Sequence, residues 1–143
     1  MEVLDAPRHK RLAQAAGFEN LLTGTVMDLR EADGVMRVRI SEGACEMEVP
    51  LGYAAPGDPV RVAIRAGDIL LATSQPHGLS ARNIIEGRIV AMETRGALIR
   101  ARVDCGVEFI VHLTPGAART LELSIGRHVW LVLKTHSCHF VEE

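Results

Sequence analysis

The sequence predicts a mainly β protein: a tandem of two small β units, with a short helix at the N-terminus and another inside the second unit. Three observations carry that prediction. Beyond Leu22, apolar and polar residues alternate with a period of two. Turn-forming clusters interrupt the alternation about every 8–12 residues, the spacing of a small barrel or sandwich. The second half also repeats landmarks of the first, so the 143 residues divide into two related units, each small enough to need interlocking or dimerisation.

The elements follow in order. In residues 1–17, Asp5 can cap a helix, Pro7 suits its first turn, and Leu12, Ala15 and Ala16 share one face before Gly17 ends it. The first β unit is expected over 18–74. Met36, Val38 and Ile40 alternate with Arg37 and Arg39, Cys45, Met47 and Val49 alternate with Glu46 and Glu48, and Val60, Val62 and Ile64 continue the pattern. Breaks fall at Ala32-Asp33-Gly34, Glu42-Gly43 and Pro56-Gly57-Asp58-Pro59. The second unit is expected over 75–143. Asn20 and Gly24 recur 63 residues later as Asn83 and Gly87, whereas Val60, Val62, Ile64 and Arg65 recur 69 residues later as Val129, Leu131, Leu133 and Lys134. Six extra residues are therefore expected around Thr114 to Gly126, where Pro115-Gly116-Ala117-Ala118-Arg119 suits a short helix closing one end of a barrel.

Composition narrows the function. Three Phe, one Trp and one Tyr leave no aromatic platform for single-stranded nucleic acid, and a net charge of −2 gives no broad basic surface for nucleic acid or anionic membrane. Apolar runs such as 69–73 and 129–133 are far shorter than the roughly 20 residues of a membrane span, and the N-terminus lacks the pattern of a signal peptide, so a cytoplasmic location is expected. No phosphate-binding loop, nucleophile elbow, zinc-protease motif or dinucleotide fingerprint is present, and the carboxylates are spread over strand faces and turns, so no enzyme activity is expected of this chain. Cys45, Cys105 and Cys138 are too scattered for a disulfide framework or zinc ribbon and read as buried thiols. His136, Cys138 and His139 could hold a metal only if the chain bends, because on a strand His139 points away from the other two.

One segment has a different character. In Gly78-Leu79-Ser80-Ala81-Arg82-Asn83, just before a strand, Ser80 and Arg82 point the same way when extended and could converge on a small anion; Lys134-Thr135 offers a second donor pair where a late strand ends. A tetrahedral oxyanion needs cations, hydroxyls and backbone N–H groups at such a junction. On pattern alone a plainer reading stands beside it, with Arg82 a solvated surface residue and Asn83 a turn former or a brace for the loop backbone.

Ser80-Ala81-Arg82-Asn83 with the following Gly87 and Ile89, and Val-x-Leu-Val-Leu-Lys-Thr-x-Ser over 129–137, resemble molybdenum-pterin-binding-type (Mop) domains, molbindins and TOBE domains. The stretch 17–26 and the helix before it resemble the junction where the ATP-binding subunits of molybdate and tungstate importers pass into a C-terminal regulatory region. The resemblance implies OB-like barrels. It implies an oxyanion site of Ser80, Ala81, Arg82 and Asn83 on one side and Lys134 and Thr135 on the other, with Thr114 a further candidate, set between two copies of a homodimer. It implies molybdate or tungstate as ligand, no other cofactor, and the ATP-binding domain and permease of an ABC importer as partners. A ligand-free TOBE dimerisation module and a stand-alone molbindin-like storage protein are the alternatives. In the first repeat Phe18-Glu19-Asn20 replaces Ala81-Arg82-Asn83 and Arg65-Ala66 replaces Lys134-Thr135, so that copy is expected to hold no oxyanion, since Glu19 would repel it.

Overall fold

The computed structural model describes residues 17–141. The expected leading helix, but for Gly17, lies outside the described residues. Ten strands run in chain order: β1 (Asn20–Arg30), β2 (Val35–Ile40), β3 (Cys45–Pro50), β4 (Pro59–Ile64), β5 (Leu70–Ala72), β6 (Asn83–Arg95), β7 (Leu98–Asp104), β8 (Glu108–Leu113), β9 (His128–Leu133) and β10 (His139–Phe140). One α-helix, α1 (Pro115–Thr120), lies between β8 and β9. The protein is mainly β, as the alternation predicts.

The strands form two antiparallel five-stranded sheets, ordered β10-β4-β1-β2-β3 and β5-β9-β6-β7-β8. Each repeat thus contributes its last short strand to the sheet of the other. The exchange is reciprocal down to the register: Leu70 stands opposite Val132 and Leu71 opposite Leu131, while His139 stands opposite Ala63 and Phe140 opposite Val62. The compact units follow the exchange and not the contiguous repeats of the sequence. One unit comprises the chain up to Arg65 with Thr135 onward, the other Ala66–Lys134.

Inside each unit one long strand does two jobs. The first half of β1 pairs with β4 and its second half with β2; β6 divides itself between β9 and β7 in the same way. A bulge falls between Val26 and Asp28 in β1 and between Ile89 and Ala91 in β6, where each strand must turn. The bulge backbone is satisfied identically in both copies. Val26 N–H donates to the Asp58 carbonyl and the Val26 carbonyl accepts from Gly57 N–H; Ile89 N–H donates to the Arg127 carbonyl and the Ile89 carbonyl accepts from Gly126 N–H.

Glycine is required where the neighbouring strand crosses close. A Cβ on Gly24 would lie 2.6 Å from Val38 Cγ1 and 2.8 Å from the Arg39 carbonyl; one on Gly87 would lie 2.6 Å from Cys105 Sγ and 2.9 Å from the Asp104 carbonyl. The carbonyl belongs to a paired strand and cannot swing away. Gly87→Ala is therefore expected to cost about 1–3 kcal/mol, the usual range for overpacking, read as an earlier urea midpoint followed by Trp130 on β9. An unchanged midpoint would mean that the two strands part easily at this crossing.

The alternating residues build the cores as expected, with Met36, Val38, Ile40, Met47 and Val49 in one unit and Ile89, Val103, Phe109, Val111 and Leu131 in the other, all nearly or fully buried. The ladders correct the placing of the extra residues. Val38 on β2 corresponds to Val103 on β7, Met47 on β3 to Phe109 on β8, and Val62 on β4 to Leu131 on β9, offsets of 65, 62 and 69. The second repeat thus gains two residues in its first hairpin, loses three in its next turn, and gains seven before β9, where α1 forms.

Candidate functional site

The β6–β9 ladder ends at the pair Asn83 and Leu133. The residues that run directly off that end are Arg82 on one strand and Lys134 on the other, both with exposed side chains. Antiparallel neighbours lie about 5 Å apart at Cα, so two cations issue side by side from one end of this sheet. Ser80 is exposed and Ala81 half-buried in the loop leading into β6. These residues all belong to the Ala66–Lys134 unit.

Asn83 itself is 3% exposed. Its counterpart Asn20 is equally buried, stands opposite Ile64, and donates from Nδ2 to the Ile64 carbonyl at 3.4 Å. The shared burial favours a bracing role for the Asn83 side chain. Thr135, the next residue after Lys134, opens a 3-10 turn and is 7% exposed; its Oγ1 is buried with no hydrogen-bond partner among the described residues. An orphaned buried hydroxyl is costly and calls for an acceptor.

Thr114 stands apart from this group within its unit. Its Oγ1 accepts from Ala117 N–H at 3.1 Å and so caps α1. The register places it at the other end of the sheet: its neighbour Leu113 stands opposite Ile99, and Ile99 opposite Thr94, eleven residues along β6 from Asn83.

The first repeat ends its β1–β4 ladder at Asn20 and Ile64, and the residues running off that end are Glu19 and Arg65. Here an acid stands beside a base. The Arg65 guanidinium lies 4.3 Å over the Phe18 ring, whose other neighbour is the His139 ring at 5.0 Å. Phe18 takes the position of Ala81, so this end is packed with the chain's own aromatic side chain. The repeat alignment marks the substitution, but the sequence alone does not reveal that Arg65 stacks on Phe18.

The remaining candidates resolve simply. Burial pushes the Cys138 thiol up to about 12, and burial followed by the nearby Glu46 carboxylate pushes Cys45 up to about 11. Neither is a thiolate at neutral pH, so neither is primed as nucleophile or metal ligand. Cys105 and Cys138 are buried as expected, but Cys45 is only half-buried, because it opens β3 directly after a 3-10 turn. The chain does bend at His136, within the turn Thr135–Ser137, yet no cluster of three metal-ligating side chains forms among the described residues. Surface carboxylates pair across strands, as Glu46 does with Arg37 at 2.7 Å and Glu86 with His128 at 2.6 Å. No helix among the described residues is long and apolar enough to cross a membrane.

Comparison with known proteins finds the following similarities. Residues 79–140 match the TOBE domain. The chain is 34% identical over 137 residues to the molybdenum import ATP-binding protein ModC of Rhizobium johnstonii, covering 94% of this chain and 38% of that protein. It is 38% identical over 119 residues to the protein of the same name from Mesorhizobium japonicum, covering 80% and 32%. It is 29% identical over 136 residues to the molybdate/tungstate import ATP-binding protein WtpC of Pyrococcus abyssi, covering 94% and 36%. The chain thus spans less than two fifths of these relatives. A solved structure of the cytoplasmic molybdate-binding protein ModG, with molybdate bound, matches with a TM-score of 0.78 at 23% identity, over 88% of this chain and 97% of that one. At that identity the likeness establishes the OB-like TOBE/Mop fold.

Proposed function

We propose, from the match of residues 79–140 to the TOBE domain, that the chain is the oxyanion-binding regulatory region of a molybdate or tungstate ABC importer. The observation that carries the reading is the β6–β9 ladder end, where Arg82 and Lys134 emerge together. Arg82, Lys134, Ser80 and the N–H groups of Ala81 and Asn83 supply the charge and the donors that a tetrahedral dianion needs. The Glu19–Arg65 end, self-neutralised and packed with Phe18, binds none.

The chain itself performs no catalysis. ATP hydrolysis resides in the part of such a subunit that this chain does not span, and the permease is its further partner. Two copies of the chain close the site between them in the cytoplasm, and the anion shifts the importer toward one arrangement by binding that arrangement more tightly.

Isothermal titration with molybdate, tungstate and sulfate tests the reading. Heat is expected with molybdate or tungstate. No heat with any of the three would leave a ligand-free TOBE dimerisation module. Crystals grown with tungstate are expected to show density beside Arg82 and Lys134 and none beside Glu19 and Arg65; equal density at both ends would overturn the asymmetry.

A further inference from the structure

The unit that contains β1–β4 carries an open groove of about 550 Å³, with Met36, Leu51, Gly52, Tyr53, Arg61 and Phe140 among its lining residues. It lies within the size range of natural binding clefts. The comparison of the two repeats explains why it is open. The β8–β9 connection is seven residues longer than its counterpart by ladder register and folds into α1, which packs against β7 with Ala118 buried. In the first repeat the strand equivalent to β7 is β2, and its Met36 lines the groove. By this alignment the groove borders the strand that corresponds to the one α1 packs against in the other unit.

A second observation marks the same place. Tyr53, the chain's one tyrosine, stands on the rim with its side chain wholly in solvent, and Leu51 beside it is 40% exposed. A tyrosine in this setting is the residue type that anchors interfaces, with large rigid area and a polar tip. Gly52 keeps the rim clear, since a Cβ there would come within 3.2 Å of the Phe140 ring.

We propose that this groove is a docking site for a short helix of a partner protein, one that presents alanine and leucine side chains as α1 and the following Leu121 and Leu123 do. The site is separate from the oxyanion site and stands whether or not an anion binds. The second repeat supplies its own helix in cis, and the first accepts one in trans.

The test uses the full chain, labelled with nitrogen-15, and a synthetic peptide of residues 114–125 as the probe, added up to millimolar concentration without oxyanion. Saturable amide shifts are expected at Met36, Leu51–Ala54, Arg61, Phe140 and Val141, and Tyr53→Ala is expected to weaken them about five-fold or more, the usual loss at an interface anchor. Tyr53 is fully exposed, so its removal leaves the fold intact. Absent shifts, shifts scattered over both units, or shifts unaffected by Tyr53→Ala would overturn the proposal. Groove resonances that move with chain concentration alone would assign the surface to a second copy and equally overturn it.

Discussion

Arg82→Ala and Lys134→Ala are each expected to weaken tungstate binding by about 2–5 kcal/mol, roughly 30- to 5,000-fold. The range rests on desolvation. A cation that meets a dianion in a closed, water-poor site loses much when truncated, because the remaining charges are left poorly compensated. The same cation on an open surface loses about 1 kcal/mol or less. Both side chains are exposed in the single chain, so a large effect also reports that something closes over them when the anion binds. Folding is not expected to change, since neither side chain is buried. Glu19→Ala and Arg65→Ala serve as controls: they alter the equivalent ladder end of the first repeat and are expected to leave affinity unchanged. Wild-type affinity in both Arg82→Ala and Lys134→Ala would place the site elsewhere.

The contrast between the two ladder ends also explains which parts of the chain are legible as sequence. Gly24 and Gly87 announce the repeat because a crossing strand leaves no room for a Cβ, and steric demands of that kind write themselves into residue identity. Ser80 and Arg82 stand out for a similar reason, as exposed donors before a strand have no packing role to disguise them, whereas the burial of Asn83 does not show in the sequence. Strand exchange is different. Leu70-Leu71-Ala72 could pair with Val62-Ala63 on β4 or with Leu131-Val132 on β9 equally well, because both offer the same apolar register. Local pattern does not select between them.

Length differences are legible only as a net value. The offsets of 63 and 69 correctly imply six additional residues, but a gain of two and a loss of three in successive turns cancel most of one another and hide from a comparison of landmarks. The helix at 115–120 is nonetheless visible, since Thr114 caps it and Pro115 occupies its first turn. Its absence from the first repeat has a consequence that only the folded structure reveals: an open groove beside Tyr53. Burial of Thr135 is likewise silent in sequence, where a hydroxyl after a lysine at a strand end reads as solvated.

Phe109→Ala is expected to destabilise the Ala66–Lys134 unit by about 3–5 kcal/mol. Among the described residues Phe109 is the one fully buried aromatic and the largest fully buried side chain. It sits on β8 opposite Val103, at the position that Met47 holds in the first repeat. Removing the ring deletes apolar burial and leaves a cavity that the paired strands resist closing. In a unit of this size each kcal/mol is worth about 4–8 °C of thermal midpoint, so a fall of about 10 °C or more is expected. Trp130 lies on β9 of the same sheet and is the only tryptophan, so its fluorescence follows this unit specifically. Cys45→Ala, at a half-buried strand start, provides the comparison and is expected to shift far-ultraviolet circular dichroism midpoints by about 2–4 °C at most, at about 0.5 kcal/mol or less for sites away from the core. A Trp130 transition unmoved by Phe109→Ala would show that the unit's stability does not rest on this core.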